Sequence, residues 1–290
     1  MKKLHLFFVL MIVVAINLQA QSNIRPSFHF GDMNFYNPAN TLPLMYEEQK
    51  YYISAGSPYT FVKNEDKIWS NSPALTLNFI GKTKHPGLHY SAGLFCDIFS
   101  FFSRVCPSGG VIYKMEFGEW SSFSFGARVS VNFDIVRWNS LQLPIAPRQG
   151  TTLKLNPDLD LGVEYNWKNL SIGLASKNLI GFRTKIEDEV LIKNERFTSL
   201  STSYAFDIGR HYQITPLVML FFDNRMIYDV GARFSAYEFV HVSYMLRANE
   251  LRSIIALEVL MESDGYVGLS IDFSPMLPDK NMGILVRYCF

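Results

Sequence analysis

Beyond its first twenty residues the 290-residue sequence has no long uninterrupted apolar run. It therefore encodes no second stretch of the roughly 20 apolar residues that a helix needs to cross a bilayer. It also lacks a surplus of charge. Its 27 Lys and Arg face 26 Asp and Glu, and setting Lys2 and Lys3 aside leaves 25 against 26. Nothing in that balance favours a nucleic-acid partner. Cysteine is sparse, with three in all, an odd number. Cys96 and Cys106 could face each other across one hairpin and bridge in an oxidising compartment, or stand as two small apolar fillers, while Cys289 lies near the end. There is no phosphate-cradling glycine loop, no Gly-x-Ser-x-Gly elbow and no His-Glu-x-x-His helix. The six histidines are scattered, and His211 and His241 have no spacing that suggests a shared metal. No catalytic, cofactor-binding or metal-ligating residue is assigned, no partner-binding residue is identified, and the sequence reads as a non-enzyme without a cofactor.

What is present first sets the compartment. Lys2 and Lys3 precede the apolar run Leu4–Ile16, and Leu18-Gln19-Ala20 closes on a small residue. That is the pattern of a secretory signal peptide over 1–20, cleaved before Gln21. The apolar run is too short for a spanning anchor, and no cysteine follows the cleavage point to carry a lipid.

The remaining chain belongs to a sequence that is 48% hydrophobic and 15% aromatic, with apolar and polar residues alternating. Over 121–135, Phe123, Phe125, Ala127, Val129, Val131, Phe133 and Ile135 share one face, and Ser122, Ser124, Gly126, Arg128, Ser130, Asn132 and Asp134 the other. A period of two marks a strand. Leu159, Leu161, Val163, Tyr165 and Trp167 likewise oppose Asp158, Asp160, Gly162, Glu164 and Asn166. A tight turn at Lys168-Asn169 then leads into Leu170, Ile172 and Leu174, completing a hairpin. Further strands are expected near 50–62, 73–81, 87–98, 109–118, 196–208, 211–223, 226–235, 237–247, 252–260, 265–273 and 282–290. The total is fourteen. Register weakens over 237–260, where Val240, Val242 and Tyr244 share a face and Phe239 lies opposite.

Alternation of this extent, with lipid outside and a polar interior, predicts an all-β fold: a transmembrane antiparallel up-and-down β-barrel of about 14 strands. The last strand places Met282, Ile284, Val286, Tyr288 and Phe290 on one face. It resembles the terminal strand that barrel-assembly machinery reads, so the C-terminal strand is expected to end at Phe290 in the periplasm. Counting back from Phe290 puts the short turns near 118–121, 167–170, 208–211 and 235–237 in the periplasm. The connections 99–108, 136–157 and 177–195 fall outside, and only the short Asp223-Asn224-Arg225 breaks the pattern. The domain reading is 1–20 signal peptide, 21–49 an N-terminal periplasmic or lumenal segment, and 50–290 the outer-membrane barrel. Segment 21–49 carries Pro26, Pro38 and Pro43 without sustained alternation, which argues against a spanning strand. It could lie under the barrel, enter the lumen or contact a partner.

Trp120, Trp138, Trp167, Tyr237 and Tyr288 fall near strand ends and suit interfacial girdles. Asp158, Asp160 and Glu164 lie on one lumen-facing side. Carboxylates can gather calcium, but three spread along one strand do not converge alone, and pairing with Arg128, Arg233 or Arg287 is the plainer reading.

Four elements carry a resemblance. Asn37-Pro38-Ala39 follows Phe35-Tyr36; then come Asn156-Pro157-Asp158-Leu159-Asp160-Leu161-Gly162-Val163, Ser171-Ile172-Gly173-Leu174 and Tyr228-Asp229-Val230-Gly231. In order and spacing the chain resembles the PorP/SprF family of type IX secretion system membrane proteins. It departs from that pattern where Asn40-Thr41-Leu42 follows Asn-Pro-Ala, and where only Trp69 remains of an Arg and Trp pairing. The resemblance implies a non-enzymatic, multi-pass barrel of the Bacteroidetes outer membrane in type IX secretion or the gliding apparatus. Such a barrel would hold exported proteins at the cell surface or link to periplasmic components. Its partners would be outer-membrane lipid, other secretion-complex proteins and exported surface proteins. The competing readings are a passive outer-membrane channel or porin for small solutes, a secreted β-sandwich and, last, an outer-membrane enzyme.

Overall fold

A computed structural model describes residues 33–41, 50–63, 69–99, 102–138, 150–186, 189–193, 196–222, 226–261, 265–274 and 279–289. The signal-peptide reading of 1–20, the connection 223–225 and Phe290 lie outside these residues. The chain opens with a single helical turn, α1 (Met33–Tyr36). The strands then follow as β1 (Tyr51–Lys63), β2 (Trp69–Lys82), β3 (Leu88–Phe99), β4 (Phe102–Phe117), β5 (Ser121–Arg137) and β6 (Thr151–Trp167). Next come β7 (Leu170–Lys177), β8 (Arg183–Ile186), β9 (Glu189–Lys193), β10 (Phe197–Tyr204), β11 (Phe206–Ile208) and β12 (Tyr212–Phe222). The series ends with β13 (Met226–Ala236), β14 (Val240–Arg247), β15 (Arg252–Leu260), β16 (Gly265–Phe273) and β17 (Asp279–Cys289).

Neighbouring strands pair antiparallel, and β1 pairs with β17, which closes the sheet. β8 and β9 pair only with each other, as a hairpin between β7 and β10. β10 and β11 both pair with β12 and form one crossing interrupted at Ala205. The result is a closed barrel of 14 crossings. Closure leaves no open edge in the lipid, which an isolated sheet could not avoid.

Side chains alternate as the sequence predicts. In β5, Ser122, Ser124, Arg128, Asn132 and Asp134 are buried toward the lumen, while Phe125, Val129 and Val131 are exposed outside. In β17, Met282, Ile284, Val286 and Tyr288 face outward and Leu285 inward. Trp120, Trp167, Tyr237 and Tyr288 stand exposed at one end, the end of the short turns 118–120, 168–169 and 237–239. An aromatic ring there has an amphipathic place at headgroup level. Trp138 does not join them. It is 4% exposed, and its indole N–H donates to Thr152 Oγ1 at 2.8 Å.

Several boundaries differ from the expectation. The connection expected at 99–108 is strand, since β3 runs to Phe99 and β4 begins at Phe102. Pro107, which has no N–H to donate, sits where no partner of Cys106 or Pro107 is registered on β5, so no ladder bond is lost there. β6 likewise starts at Thr151 and contains Pro157. Tyr237 and Glu238 adopt positive φ, and this turn puts Phe239 out of phase with the strand that follows. Cys96 and Cys106 are free. Cys96 pairs in register with Val105 and Cys106 with Phe95, so the two thiols point to opposite faces of the wall and form no bridge.

Candidate functional site

The lumen is neither uniformly polar nor empty. Residues 33–41 lie inside it. α1 ends because Pro38 cannot continue a helix. The Asn37 N–H donates to Met33 O at 2.9 Å, Ala39 N–H donates to Asn37 Oδ1 at 3.0 Å, and Asn34 Nδ2 donates to Asn40 O at 3.3 Å. The segment is thus a compact loop that satisfies part of its own backbone.

The barrel wall satisfies the rest. A helix leaves its last carbonyls without partners, and two cations take them here. Arg128 donates to Asn34 O at 3.1 Å and Phe35 O at 3.2 Å, and Lys177 Nζ donates to Phe35 O at 2.9 Å. Lys177 also lies 3.9 Å from the Phe35 ring centroid, close enough for a cation–π contact. Toward the short-turn end, Glu164 accepts from Asn40 Nδ2 at 2.8 Å and Asn37 Nδ2 donates to Val163 O at 3.1 Å.

Glycines give the segment its closest approach. A β-carbon at position 126 would collide with the Pro38 carbonyl, one at 162 would collide with Asn37 Oδ1, and one at 173 would stand 2.8 Å from Asn37 Nδ2. Backbone can come this close only where no side chain intervenes. Opposite this notch, Tyr36 is buried among Leu217, Met219, Phe221, Ile227, Met245 and Ile254, with Met33, Phe35 and Phe197 at the margin. β12 is therefore apolar on both faces, one toward lipid and one toward Tyr36. Beside the segment remains a cavity of about 200 Å³, whose lining includes Phe35, Tyr36, Phe95, Arg104, Lys177 and Phe197.

The acids singled out by sequence do not converge. Asp158 accepts from the N–H groups of Leu159 and Ile180 at 2.9 and 3.2 Å, and Asp160 accepts from Asn178 N–H at 3.0 Å and Arg128 at 2.9 Å. Asp158 and Asp160 tie down the chain as it leaves β7, where Asn178 has positive φ. Among the described residues no group of three or more His, Cys, Asp or Glu could hold a metal ion. Of the arginines, Arg128 pairs with Asp160, whereas Arg287 pairs with Glu258 at 2.6 Å rather than with the β6 acids. Sequence reasoning passed over a further buried rail, in which Arg247 grips Asp229 at 3.0 Å and Arg252 bridges Glu250 and Asp272. Acids and arginines spread over four strands and the connection between β14 and β15 carry no period that marks them in the sequence.

A second feature lies at the other end. β5 and β6 pair along 17 residues each, but β6 pairs with β7 only from Leu161 onward. Among the described residues no strand pairs with the far side of Thr151–Leu155. Leu153, Leu155 and Ile180 are 55%, 58% and 59% exposed around this edge. A strand of that length runs about 56 Å at about 3.3 Å per residue. Even tilted by about 40°, it rises beyond an apolar band about 25 Å tall.

Residues 18–275 match the family described as type IX secretion system membrane protein PorP/SprF. The chain belongs to the PorP/SprF family. It is accordingly a type IX secretion barrel of the outer membrane. No curated protein matches it. Among solved structures, it is similar to the toluene transporter TbuX of Ralstonia pickettii, with TM-score 0.55, 10% identity, and coverage of 88% of this chain and 92% of that one. It is also similar to the toluene transporter TodX of Pseudomonas putida, with TM-score 0.53, 10% identity and coverage of 95% and 96%. At such identity the likeness is one of fold. In this PorP/SprF barrel the motif elements have distinct places. Asn37-Pro38-Ala39 lies in the lumen, Gly162 and Gly173 receive it, Asp158 and Asp160 turn the chain away from β7, and Asp229 anchors the arginine rail.

Proposed function

We propose that this PorP/SprF barrel is a non-enzymatic scaffold that holds exported proteins at the cell surface, with links to periplasmic components at its short-turn end. It reaches the outer membrane through a signal peptide at 1–20 cleaved before Gln21. The observation that carries the reading is the β5–β6 hairpin rising above the β7 wall. Among the described residues its Thr151–Leu155 edge has no pairing strand, and exposed Leu153, Leu155 and Ile180 flank it. An unpaired edge is a ready template for a partner strand, and exposed apolar side chains beside it suit a contact surface. The short-turn end, with its aromatic ring, faces the periplasm in this orientation, and the opposite end, where β5 connects to β6 and β7 to β10, faces out.

The test replaces Leu153 and Leu155 by Asp in the full chain and follows surface retention of exported proteins and co-purification of partners. Both fall if the edge receives the partner. Unchanged retention and unchanged co-purification, from a barrel that still shows heat-modifiable migration, would refute the reading, as would the same result after deleting both connections. The alternative, a passive channel, is disfavoured by the seated segment 33–41, which occupies part of the lumen between β5–β7 and β12–β15. A stable, large, ungated single-channel conductance from the purified protein would restore it.

A further inference from the structure

The geometry points to a peptide-binding site in the lumen wall, of which residues 33–41 are the tethered occupant: the wall of β5–β7 and β12–β15 recognises an aromatic-Asn-Pro peptide folded into a compact turn. A partner chain carrying such a peptide would take the same place and displace the segment.

Recognition is of the kind that reads a peptide. Arg128 and Lys177 take successive main-chain carbonyls, those of Asn34 and Phe35. A separate apolar pocket takes Tyr36, and the notch at Gly126, Gly162 and Gly173 takes Asn37-Pro38. Main-chain bonds combined with side-chain pockets are the usual basis of peptide recognition.

The wall also keeps its own partners without the segment, and this separates a bound peptide from an integral core strand. Arg128 remains paired with Asp160 at 2.9 Å, Asp160 still accepts from Asn178 N–H at 3.0 Å, and Glu164 still accepts from Asn166 Nδ2 at 3.2 Å. The Arg128–Asp160 ion pair is thus intact when the peptide leaves, so the large penalty for an unpaired buried charge does not arise there, and Glu164 keeps one hydrogen bond. The notch is made by residues absent from the wall, its missing β-carbons, and it too persists. The cavity of about 200 Å³ beside Phe35 and Tyr36 gives the occupant room to shift. Tethering raises the effective concentration of the segment to about the millimolar range, so a free peptide competes only when the tethered copy is weakened.

The experiment uses the full chain in detergent and a fluorescent synthetic peptide of residues 33–41, followed by anisotropy. The unmodified chain is expected to bind at least tenfold more weakly than a Tyr36→Ala, Asn37→Ala variant, which binds saturably. Adding Gly162→Val to that variant abolishes binding by filling the notch. Heat-modifiable migration establishes that each barrel is folded, and Asn40→Ala is the milder variant for the same assay. Absence of saturable binding to the folded variants overturns the proposal. So does equal binding by the unmodified chain, or binding indifferent to Gly162→Val.

Discussion

Asn37 and Gly162 interlock: the side-chain oxygen of Asn37 occupies the space that a β-carbon at position 162 would need. The contact joins a loop near the N-terminus to the middle of β6, and it makes the absence of a side chain at one position a requirement of the residue at the other.

Gly162→Val is therefore expected to unseat residues 33–41 while leaving the barrel folded. Overpacking of this kind costs about 1–3 kcal/mol. Hydrogen exchange at the amides of 33–41 should accelerate by about 10- to 100-fold. Gly109 has nothing within 4 Å of its would-be β-carbon, so Gly109→Ala should leave the same amides unchanged.

Arg128 and Asp160 form a buried pair at 2.9 Å. Removing one partner leaves the other charged in the wall, at a cost of about 3–5 kcal/mol. Asp160→Leu alone is expected to lose that much stability in urea unfolding from lipid vesicles. Arg128→Met with Asp160→Leu should recover most of it, yet still release the carbonyls of Asn34 and Phe35 and expose the segment to exchange.

The two faces of β5 should respond oppositely to charge. Val129 is 61% exposed at the middle of the strand, and Ser130 lines the lumen cavity. Val129→Lys, on the lipid face, should destabilise folding into vesicles by more than about 1 kcal/mol, and Phe125→Lys, nearer mid-depth, by about 2–4 kcal/mol. Ser130→Lys, in a polar setting beside Asn132, should change it by less than about 1 kcal/mol. Equal effects would mean that the faces are not partitioned between lipid and lumen.

Cys96 and Cys106 lie on neighbouring strands but on opposite faces. A mild thiol oxidant should therefore produce no intramolecular cross-link between them. The check is mass spectrometry of the oxidised, detergent-purified protein, where a Cys96–Cys106 linked peptide would contradict the register.

Legibility varied with how many environments each strand meets. β5 has one lipid face and one polar lumen face, so Phe125 against Ser124 and Val129 against Arg128 spell out its period. β12 meets lipid through Val218 and Leu220 and the Tyr36 pocket through Leu217 and Met219. Its two apolar faces erase the alternation. Pro107 and Pro157 lie within strands, where proline removes a ladder donor, but both stand where that donor has no partner to lose on one side.

By itself the sequence determined that the chain crosses the membrane as an antiparallel barrel, because a period of two repeated along the chain records a boundary between lipid and interior that each strand meets locally. It also placed Asp158, Asp160 and Glu164 on one face. Only the tertiary structure decided what that face holds. Glu164 meets Asn40, 124 positions away, Arg128 meets Asn34, 94 positions away, and the glycine notch becomes a site only when closure brings β5, β6 and β7 around the loop. Interactions between residues so far apart leave no spacing along the chain, since they depend on which walls face each other across the lumen.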